Sequence, residues 1–419
     1  MPFPTRSMPN LARVQQHLPA ERIADVRGEI HQRILGAGLR TKIRPGARIA
    51  ITAGSRGMGG FLDLLSGIAD ALAELGAKPL IVPAMGSHGG ATADGQVEIL
   101  KRLGVTDFSL NAPIEATMET LELGATKTGA AAHLDRIAAN ADGIIVLGRV
   151  KTHPENTQGI ASGLLKMVTV GLGKQIGAQE AHSHGLWPSV EQVPEITLAK
   201  SKILLGVGVV ENAFRQPAII EVVPATYEAF RDCDRRLLEA AKAHVASIPF
   251  DRLDLLIVDE IGKDISGTGM DLNVIGKWRI DGGERKPDFH RIVALSLTSA
   301  SLGNGLGIGL ADFTTERLMR EYDPMVTYVN LITSTEPGSM NTREGPPPLA
   351  LATDREAIEL ALHTSLAGNQ PRICRIKNTA SLHEFWVSES LVQEVKTSPR
   401  LKLIASPAPM EFDANGQLF

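Results

Sequence analysis

Short apolar segments that end in glycine-rich loops constrain the fold of this 419-residue chain most strongly. Residues 48–53 form such a segment and run into the loop 54–60, Gly-Ser-Arg-Gly-Met-Gly-Gly. A helical pattern of apolar residues follows over 61–75, and a second apolar segment, 79–83, ends in another glycine-rich loop. This order predicts a βαβ unit with parallel strands. Ligands of open α/β sheets bind at the carboxyl ends of such strands.

The same alternation continues along the rest of the chain. Two more strands are predicted at 143–147 and 203–207, and a charged amphipathic helix at about 223–245. A new series begins after the Ser-Ile-Pro break at 247–249. Its predicted strands lie at 253–259 and near 291–297, 328–332 and 372–377, and a helix is predicted at 354–367.

These two series predict an α/β protein of two domains. Both domains are expected to have mostly parallel sheets, with an active-site cleft between them. The first domain is predicted to span residues 1–248 and to be completed by 392–419. The second is predicted to span 249–391.

Composition excludes several classes of function. The net charge is −4, which argues against a nucleic-acid-binding surface. No apolar stretch reaches the roughly 18 residues that a membrane span needs. Only Cys233 and Cys374 are present, too few for a disulfide framework, so a cytoplasmic location and two buried thiols are expected. Any soft chemistry must therefore use the imidazoles of the eleven histidines or a cofactor.

Two histidines follow predicted strands directly. His88 lies in a glycine-rich loop, and His153 precedes a proline that favours an extended backbone at the histidine. Imidazole titrates near neutral pH, so two such rings at neighbouring strand ends can act as an acid/base pair. The alternative for each is an exposed ring on a structural turn.

A lysine and a histidine pair follow further along. Lys166 interrupts an apolar stretch, so its amine either reaches the surface or is partly desolvated, which would lower its pKa. His182 and His184 form a His-x-His pair, which in a strand would point both rings to one face. Zinc or nickel accepts such ligands, but the pattern alone is a weak signal.

The loop 54–60 has neither the Walker ending nor the spacing of the dinucleotide-binding fingerprint. Gly54, Ser55 and Arg56 can still hold a phosphate at the start of the following helix, although a tight turn explains the glycines equally well. In the second domain, a polar loop follows the strand at 253–259, and Lys263 or Lys277 can bind a carboxylate.

In combination, these loops resemble the nickel-pincer-nucleotide-dependent lactate racemase family in size, domain order and motif order. The loop of His88 resembles a family loop that supplies one catalytic histidine. His153, ahead of the Ser-Gly-Leu-Leu-Lys segment that ends at Lys166, resembles the second. His182 follows Lys166 by 16 residues, which agrees with the family spacing.

The resemblance implies an isomerase that inverts the C2 centre of a 2-hydroxy acid by hydride transfer to a nickel-pincer nucleotide. His88 and His153 would be the catalytic acid/bases. Lys166 would tether the cofactor as a thioamide, and His182 would bind nickel.

The resemblance also implies further contacts and partners. Gly54, Ser55 and Arg56 would bind the nucleotide, and Lys277 would bind the substrate carboxylate. The expected partners are a small-molecule 2-hydroxy acid and the enzymes that make the cofactor, with neither nucleic acid nor a membrane involved. The chain is also compatible with a homo-oligomer.

Two departures from the family pattern predict a substrate other than lactate. His153 lies three residues farther from the lysine, and Val274 replaces the glutamine of a family Gln-x-x-Lys motif that ends here at Lys277. A longer or sugar-derived acid is expected. Two alternatives on the same fold remain: another metal- or nucleotide-dependent enzyme, such as a hydrolase with zinc on the histidine cluster, and a non-catalytic nucleotide or metabolite sensor.

Overall fold

The computed structural model of this protein describes most of the chain and divides it into two units. One unit is Ala20–Val245, and the other contains Ala246–Phe419 together with the described residues before Ala20. Two candidate residues, Arg56 and His153, lie outside the described ranges. Those ranges are 8–55, 58–152, 161–282, 284–334 and 341–419.

Strands and helices are numbered in chain order within these ranges. The strands are β1 Leu11–Gln16, β2 Arg48–Ala53, β3 Lys78–Pro83, β4 Thr120–Ala125, β5 Ala131–Asp135, β6 Gly143–Arg149, β7 Ile203–Glu211, β8 Pro217–Pro224, β9 Arg252–Ile261, β10 Asp288–Leu297, β11 Phe313–Thr315, β12 Leu349–Leu351, β13 Ile373–Asn378, β14 Ser381–Ser388 and β15 Leu401–Leu403. The α-helices are α1 Val26–Gly36, α2 Phe61–Glu74, α3 Ala93–Arg102, α4 Asp107–Leu110, α5 Arg136–Asn140, α6 Leu164–Lys166, α7 Lys174–Ser183, α8 Leu186–Lys200, α9 Tyr227–His244, α10 Leu272–Ile275, α11 Trp278–Asp281, α12 Glu316–Glu321, α13 Pro324–Ser334, α14 Asp354–Thr364 and α15 Val392–Thr397. A π-helical segment, Met167–Gly171, lies between α6 and α7, and short 3-10 turns occur at Leu39–Thr41, Gly89–Ala91, Ser299–Ser301, Ile308–Leu310, Asn341–Glu344 and Glu389–Leu391.

A five-stranded sheet in the order β3-β2-β6-β7-β8 forms the centre of the unit Ala20–Val245. Its first four strands are parallel, and β8 runs antiparallel to β7. Strand β2 is buried at every position but its first, as a parallel strand covered on both faces should be. Helices pack on both faces and form two apolar clusters. The carboxyl ends of β2, β3 and β6 therefore lie side by side.

An eight-stranded sheet in the order β12-β11-β10-β9-β13-β14-β1-β15 forms the other unit. The strands from β12 to β13 are parallel, and those from β13 to β15 are antiparallel. The prediction that 392–419 completes the first domain is wrong, because β15 in this segment belongs to the eight-stranded sheet of the second unit. Strand β1 also belongs to this sheet, although the predicted first domain began at residue 1. The observed boundary follows Val245, against a predicted boundary after residue 248.

The strand predicted near 328–332 is also wrong, because these residues lie in helix α13. The apolar, β-branched composition suggested a strand. Just before this segment, however, the Asp323 carboxylate accepts hydrogen bonds from the backbone N–H groups of Met325 and Val326, at 2.8 and 3.1 Å. Pro324 occupies the first helical position, which suits its fixed φ angle. A cap and a proline thus outweigh local strand propensity.

The predicted α/β class with mostly parallel sheets is confirmed in both units. The cleft predicted between the domains stays a prediction.

Cys233 and Cys374 are free and buried, as predicted, and burial raises the pKa of both thiols. Within the described ranges, no helix has the length and apolar character required to cross a bilayer.

Candidate active site

Three of the sequence motifs meet on one segment of the unit Ala20–Val245, residues 162–171. After β6, the backbone N–H of Lys151 donates to the Ser162 carbonyl at 3.2 Å, which sets the start of this segment beside the end of the strand. The chain then continues through α6 and the π-helical segment into α7. Such π-helical turns are frequent at functional sites.

The loop after β2 approaches this segment at Gly54. A Cβ added to Gly54 would lie 3.4 Å from Met167 Cε, so the loop passes close to the side chain of the residue after Lys166. Ser55 follows and is half-buried.

A charged pair that the sequence analysis missed anchors the far end of the same loop. Glu211, the last residue of β7, accepts from the Gly59 N–H at 2.7 Å and from Arg149 at 2.6 Å. Arg149 is the last residue of β6, so the pair ties the loop to two neighbouring strand ends. A Cβ on Gly59 would lie 1.7 Å from the Arg215 carbonyl oxygen, so only glycine fits there.

The loop after β3 places His88 at the same edge of the sheet. Gly86 has a φ angle of +58° and donates its N–H to the Gly171 carbonyl at 3.3 Å, which brings the loop onto the π-helical segment. The half-buried His88 ring has its Nδ1 2.7 Å from the Met85 carbonyl oxygen. A carbonyl only accepts, so Nδ1 carries the proton and the neutral ring has its lone pair on Nε2.

Lys166 is half-buried, with its Nζ 5.1 Å from the centre of the Trp187 ring. The side chain is therefore neither fully exposed nor fully buried. A cation over an indole ring is stabilised by the ring quadrupole.

A buried carboxylate that the sequence analysis missed fixes the start of the Lys166 helix. Asp234, on α9, accepts from the backbone N–H groups of Leu164 and Leu165 at 2.8 and 3.0 Å. Burial raises the pKa of Asp234 to about 7, against the lowering effect of these two hydrogen bonds. A Cβ on Gly163 would lie 2.3 Å from this carboxylate, so the glycine gives it access. The available signal was an aspartate on the apolar face of an amphipathic helix, between Phe230 and Leu237.

His182 and His184 lie at the end of helix α7 rather than in a strand. Residues two apart on a helix do not face the same side, so the shared face that a strand would give the two rings does not apply here. His182 is half-buried, whereas His184 is exposed and places its Nδ1 3.0 Å from the Glu180 carbonyl. Among the described residues, no group of three or more His, Cys, Asp or Glu side chains could hold a metal ion.

A fully buried lysine that the sequence analysis also missed, Lys174, begins the next helix, α7. Its ammonium forms a 3.0 Å ion pair with Asp135, and both side chains are fully buried. Burial lowers the pKa of Lys174 and raises that of Asp135, and the mutual attraction of the two charges opposes both shifts. A lysine in the glycine-rich, apolar stretch that begins at Val170 was the available signal.

Lys277 and Lys263 lie in the unit that contains Ala246–Phe419. Lys277 lines a cavity of about 270 Å³ together with Asn273, Trp278 and Lys286. Lys263 donates to the Gly267 carbonyl at 2.5 Å and so stabilises its own loop.

The structure therefore brings the loops of Gly54, Ser55 and His88 onto the segment that carries Lys166, and His182 follows on the next helix. Arg56 and His153 lie outside the described residues, and their assignments stay predictions.

Comparisons with known proteins agree with this organisation. Residues 14–191 match the family model described as the lactate racemase N-terminal domain. No curated protein matches the chain. A solved structure of a Thermotoga maritima protein, a structural genomics target, has a TM-score of 0.50 and 13% identity over 67% of this chain and 72% of that one. This likeness shows a shared fold alone.

A second solved structure is the lactate racemase apoprotein from Thermoanaerobacterium thermosaccharolyticum. It has a TM-score of 0.49 and 13% identity over 89% of this chain and 99% of that one. The family model covers the loops of Gly54 and His88, the Lys166 segment and His182. By this match, residues 14–191 form a domain of the lactate racemase N-terminal type.

Proposed function

We propose that this protein inverts the C2 centre of a 2-hydroxy acid with the help of a nickel-pincer nucleotide. The observation that carries the proposal is the meeting of the Gly54 and His88 loops on the segment of Lys166, within the part of the chain that matches the lactate racemase domain. An unactivated C2–H bond needs an electron acceptor that protein side chains do not supply, so a cofactor must supply it.

The residues at this edge of the sheet fit such a cofactor. Lys166 offers a primary amine for a covalent tether, and its half-buried side chain rests against Trp187. His182 offers a nitrogen ligand that nickel accepts. The backbone at Gly54 and the Ser55 hydroxyl would border the nucleotide, and Arg56 would neutralise its phosphate. When bound, the cofactor would supply an acceptor for the hydride that leaves C2.

His88 and His153 would move the proton of the substrate hydroxyl group. In the neutral tautomer, His88 presents the Nε2 lone pair, which can accept this proton as the alcohol becomes a 2-keto acid. His153, which follows strand β6 in the sequence, would return a proton to the keto oxygen when the opposite face is reduced. Lys277 would hold the substrate carboxylate. The net reaction is inversion at C2 without a change of oxidation state.

The test uses protein produced together with the cofactor-biosynthesis enzymes. Enantiopure 2-hydroxy acids of increasing length are incubated in deuterated water, and the products are separated on a chiral column. We expect inversion with the original C2 hydrogen retained, because a hydride that returns from the cofactor does not exchange with solvent. Deuterium at C2 would indicate proton abstraction instead. We also expect longer acids to react faster than lactate. Faster inversion of lactate than of every longer acid would contradict the expectation of a substrate other than lactate.

Matched variants test the assigned residues. His88→Asn should lower kcat by about 10²–10⁴-fold, whereas His17→Asn at an exposed position should leave it unchanged. Lys166→Arg keeps the positive charge but should abolish a covalent adduct on the peptide that contains residue 166, measured by mass spectrometry. Tightly bound zinc with no adduct in the original protein would favour the hydrolase alternative.

A further inference from the structure

The loop that carries His88 stands on a buried polar network that the proposed function does not use. Lys174 is at its centre, with an ammonium that donates to the Pro83 carbonyl and, at 3.0 Å, to Gln96 Oε1, and that pairs with Asp135 at 3.0 Å. Pro83 is the last residue of β3, so the lysine reaches the point where the His88 loop begins.

Gln96 extends this network into the loop. Its Nε2 donates to the carbonyl oxygens of Gly86 and His88, at 2.9 and 3.3 Å, while its Oε1 accepts from Lys174. The side chain is fully buried, and its amide cannot flip without placing an NH₂ group against the lysine ammonium. The positive charge of Lys174 therefore fixes the orientation of the Gln96 amide.

The backbone of Lys174 adopts a strained conformation that places its side chain in this network. Its φ angle is +55°, in the left-handed region that residues other than glycine seldom occupy. Such strain persists only where surrounding contacts over-determine the conformation, and it is common near functional sites. Here the contacts are those of the buried ammonium, and the strained residue starts helix α7.

We propose that Gln96, oriented by the Lys174–Asp135 ion pair, is a positioning residue that fixes the His88 loop and thereby the direction of the His88 ring. The two carbonyls that Gln96 holds lie on either side of Ser87. The ring itself is held by the carbonyl of Met85, immediately before this span. Loss of the Gln96 hydrogen bonds would therefore leave both the loop and the His88 ring free to move. The catalytic consequence of this inference rests on the proposed function, but the loop geometry does not.

Two substitutions separate anchoring of the loop from support of the fold. Gln96→Met keeps a similar volume and removes both donors and the acceptor. Gln96→Glu keeps an acceptor for Lys174 and adds a favourable charge, but it cannot donate to the two loop carbonyls. The control is Thr197→Val, which removes a buried hydroxyl that donates to the Val193 carbonyl of its own helix.

The first readout needs no cofactor and no substrate. Hydrogen exchange of the backbone amides of His88 and Ala91, both hydrogen-bonded within the loop, is measured in the purified chain together with the ¹⁵N signals of the His88 ring. We expect both Gln96 variants to exchange about tenfold faster or more and to lose the fixed Nδ1–H tautomer. The Thr197 variant should resemble the original protein.

Unchanged exchange in both Gln96 variants would overturn the proposal, as would an equal increase in Thr197→Val.

The second readout is the kinetics of the cofactor-loaded enzyme. Both Gln96 variants should lower kcat more than they change KM, and they should shift the pH profile of kcat. A loaded original protein that inverts no 2-hydroxy acid would refute the proposed function. The exchange experiment would still decide the positioning role.

Discussion

Two buried aspartates flank the helical run from Leu164 to Ser183, and they are stabilised in different ways. Asp234 lies at the start of the run and receives two backbone N–H groups. Asp135 lies at its middle and receives the ammonium of Lys174. Burial raises the pKa of both carboxyl groups, but only Asp135 has a full opposite charge within contact distance to oppose that shift.

This difference shows how one helical run supports two kinds of site residue. At the Lys166 end, the carboxyl group fixes only backbone, and the lysine side chain remains half-buried against an indole ring. At the middle of the run, the ammonium of Lys174 is engaged by Asp135 and Gln96, so this lysine supports the loop of His88 instead. The lysine proposed for covalent chemistry is thus the less buried of the two, and the more buried one is structural.

Removing the Lys174 charge should have the largest effect. Lys174→Met leaves Asp135 buried without a cation, and breaking such a pair costs about 3–5 kcal/mol in the free energy of unfolding. The double variant Lys174→Met with Asp135→Leu should recover most of this loss, because an apolar pair of similar volume replaces the ion pair. Urea denaturation measures both. A loss below about 1 kcal/mol in the single variant would contradict the ion-pair assignment.

Asp234→Asn should have a smaller effect. At pH 5 the substitution should lower the free energy of unfolding by about 1–3 kcal/mol, since both oxygens of the protonated carboxyl group can accept from the two backbone N–H groups, whereas the NH₂ group of the amide cannot accept. Asp232→Asn on the same helix is exposed and should stay within about 0.5 kcal/mol of the original protein. Equal effects of the two substitutions would exclude a capping role for Asp234.

The pH dependence of stability should follow the raised pKa of Asp234. A carboxyl group whose pKa is higher in the folded state than in the unfolded state binds its proton more tightly when folded. Stability therefore falls as the pH rises from near 3.8 through about 7. Asp234→Asn removes this contribution, so its deficit should narrow between pH 5 and pH 8 in urea denaturation. A deficit that widens with pH would contradict the sign of the shift.

The contact between Lys166 and Trp187 should have the smallest effect. A double-mutant cycle of Lys166→Met and Trp187→Leu isolates the interaction from the packing of each side chain. We expect a coupling energy of about 0.5–1 kcal/mol, because the pair is only half-buried. A coupling of zero would show that the ring does not hold the amine in place.

Much of the central sheet could be predicted from local pattern. Strands β2, β3, β6 and β7 are short apolar runs, and α2 begins and ends within a residue of the prediction. Elements away from the central sheet were harder to predict. Strand β15 joins its sheet only by pairing with β1, almost 400 residues earlier, a contact that no local pattern indicates. Helix α13 has a strand-like composition, but the N-terminal cap formed by Asp323 favours the helix.

The candidate site divides in the same way. His88, Lys166 and the loop at Gly54 were found because glycines and apolar runs mark the ends of strands. Gln96, Asp135 and Asp234 were missed because a buried polar side chain is recognised by its partners, which come from distant parts of the chain. The spacing of the His-x-His pair does not distinguish a strand from a helix end, so only the structure showed that the pair ends helix α7.

The sequence by itself determined that the chain alternates strands and helices and that chemistry-bearing residues follow the strands, since both depend on periodicity and on glycine within a few residues. Only the tertiary structure decided which lysine is desolvated, because burial depends on what packs around a residue. Lys166 and Lys174 have similar apolar, glycine-containing surroundings in the sequence. Asp135 and Gln96 surround one of them, and an indole ring covers the other.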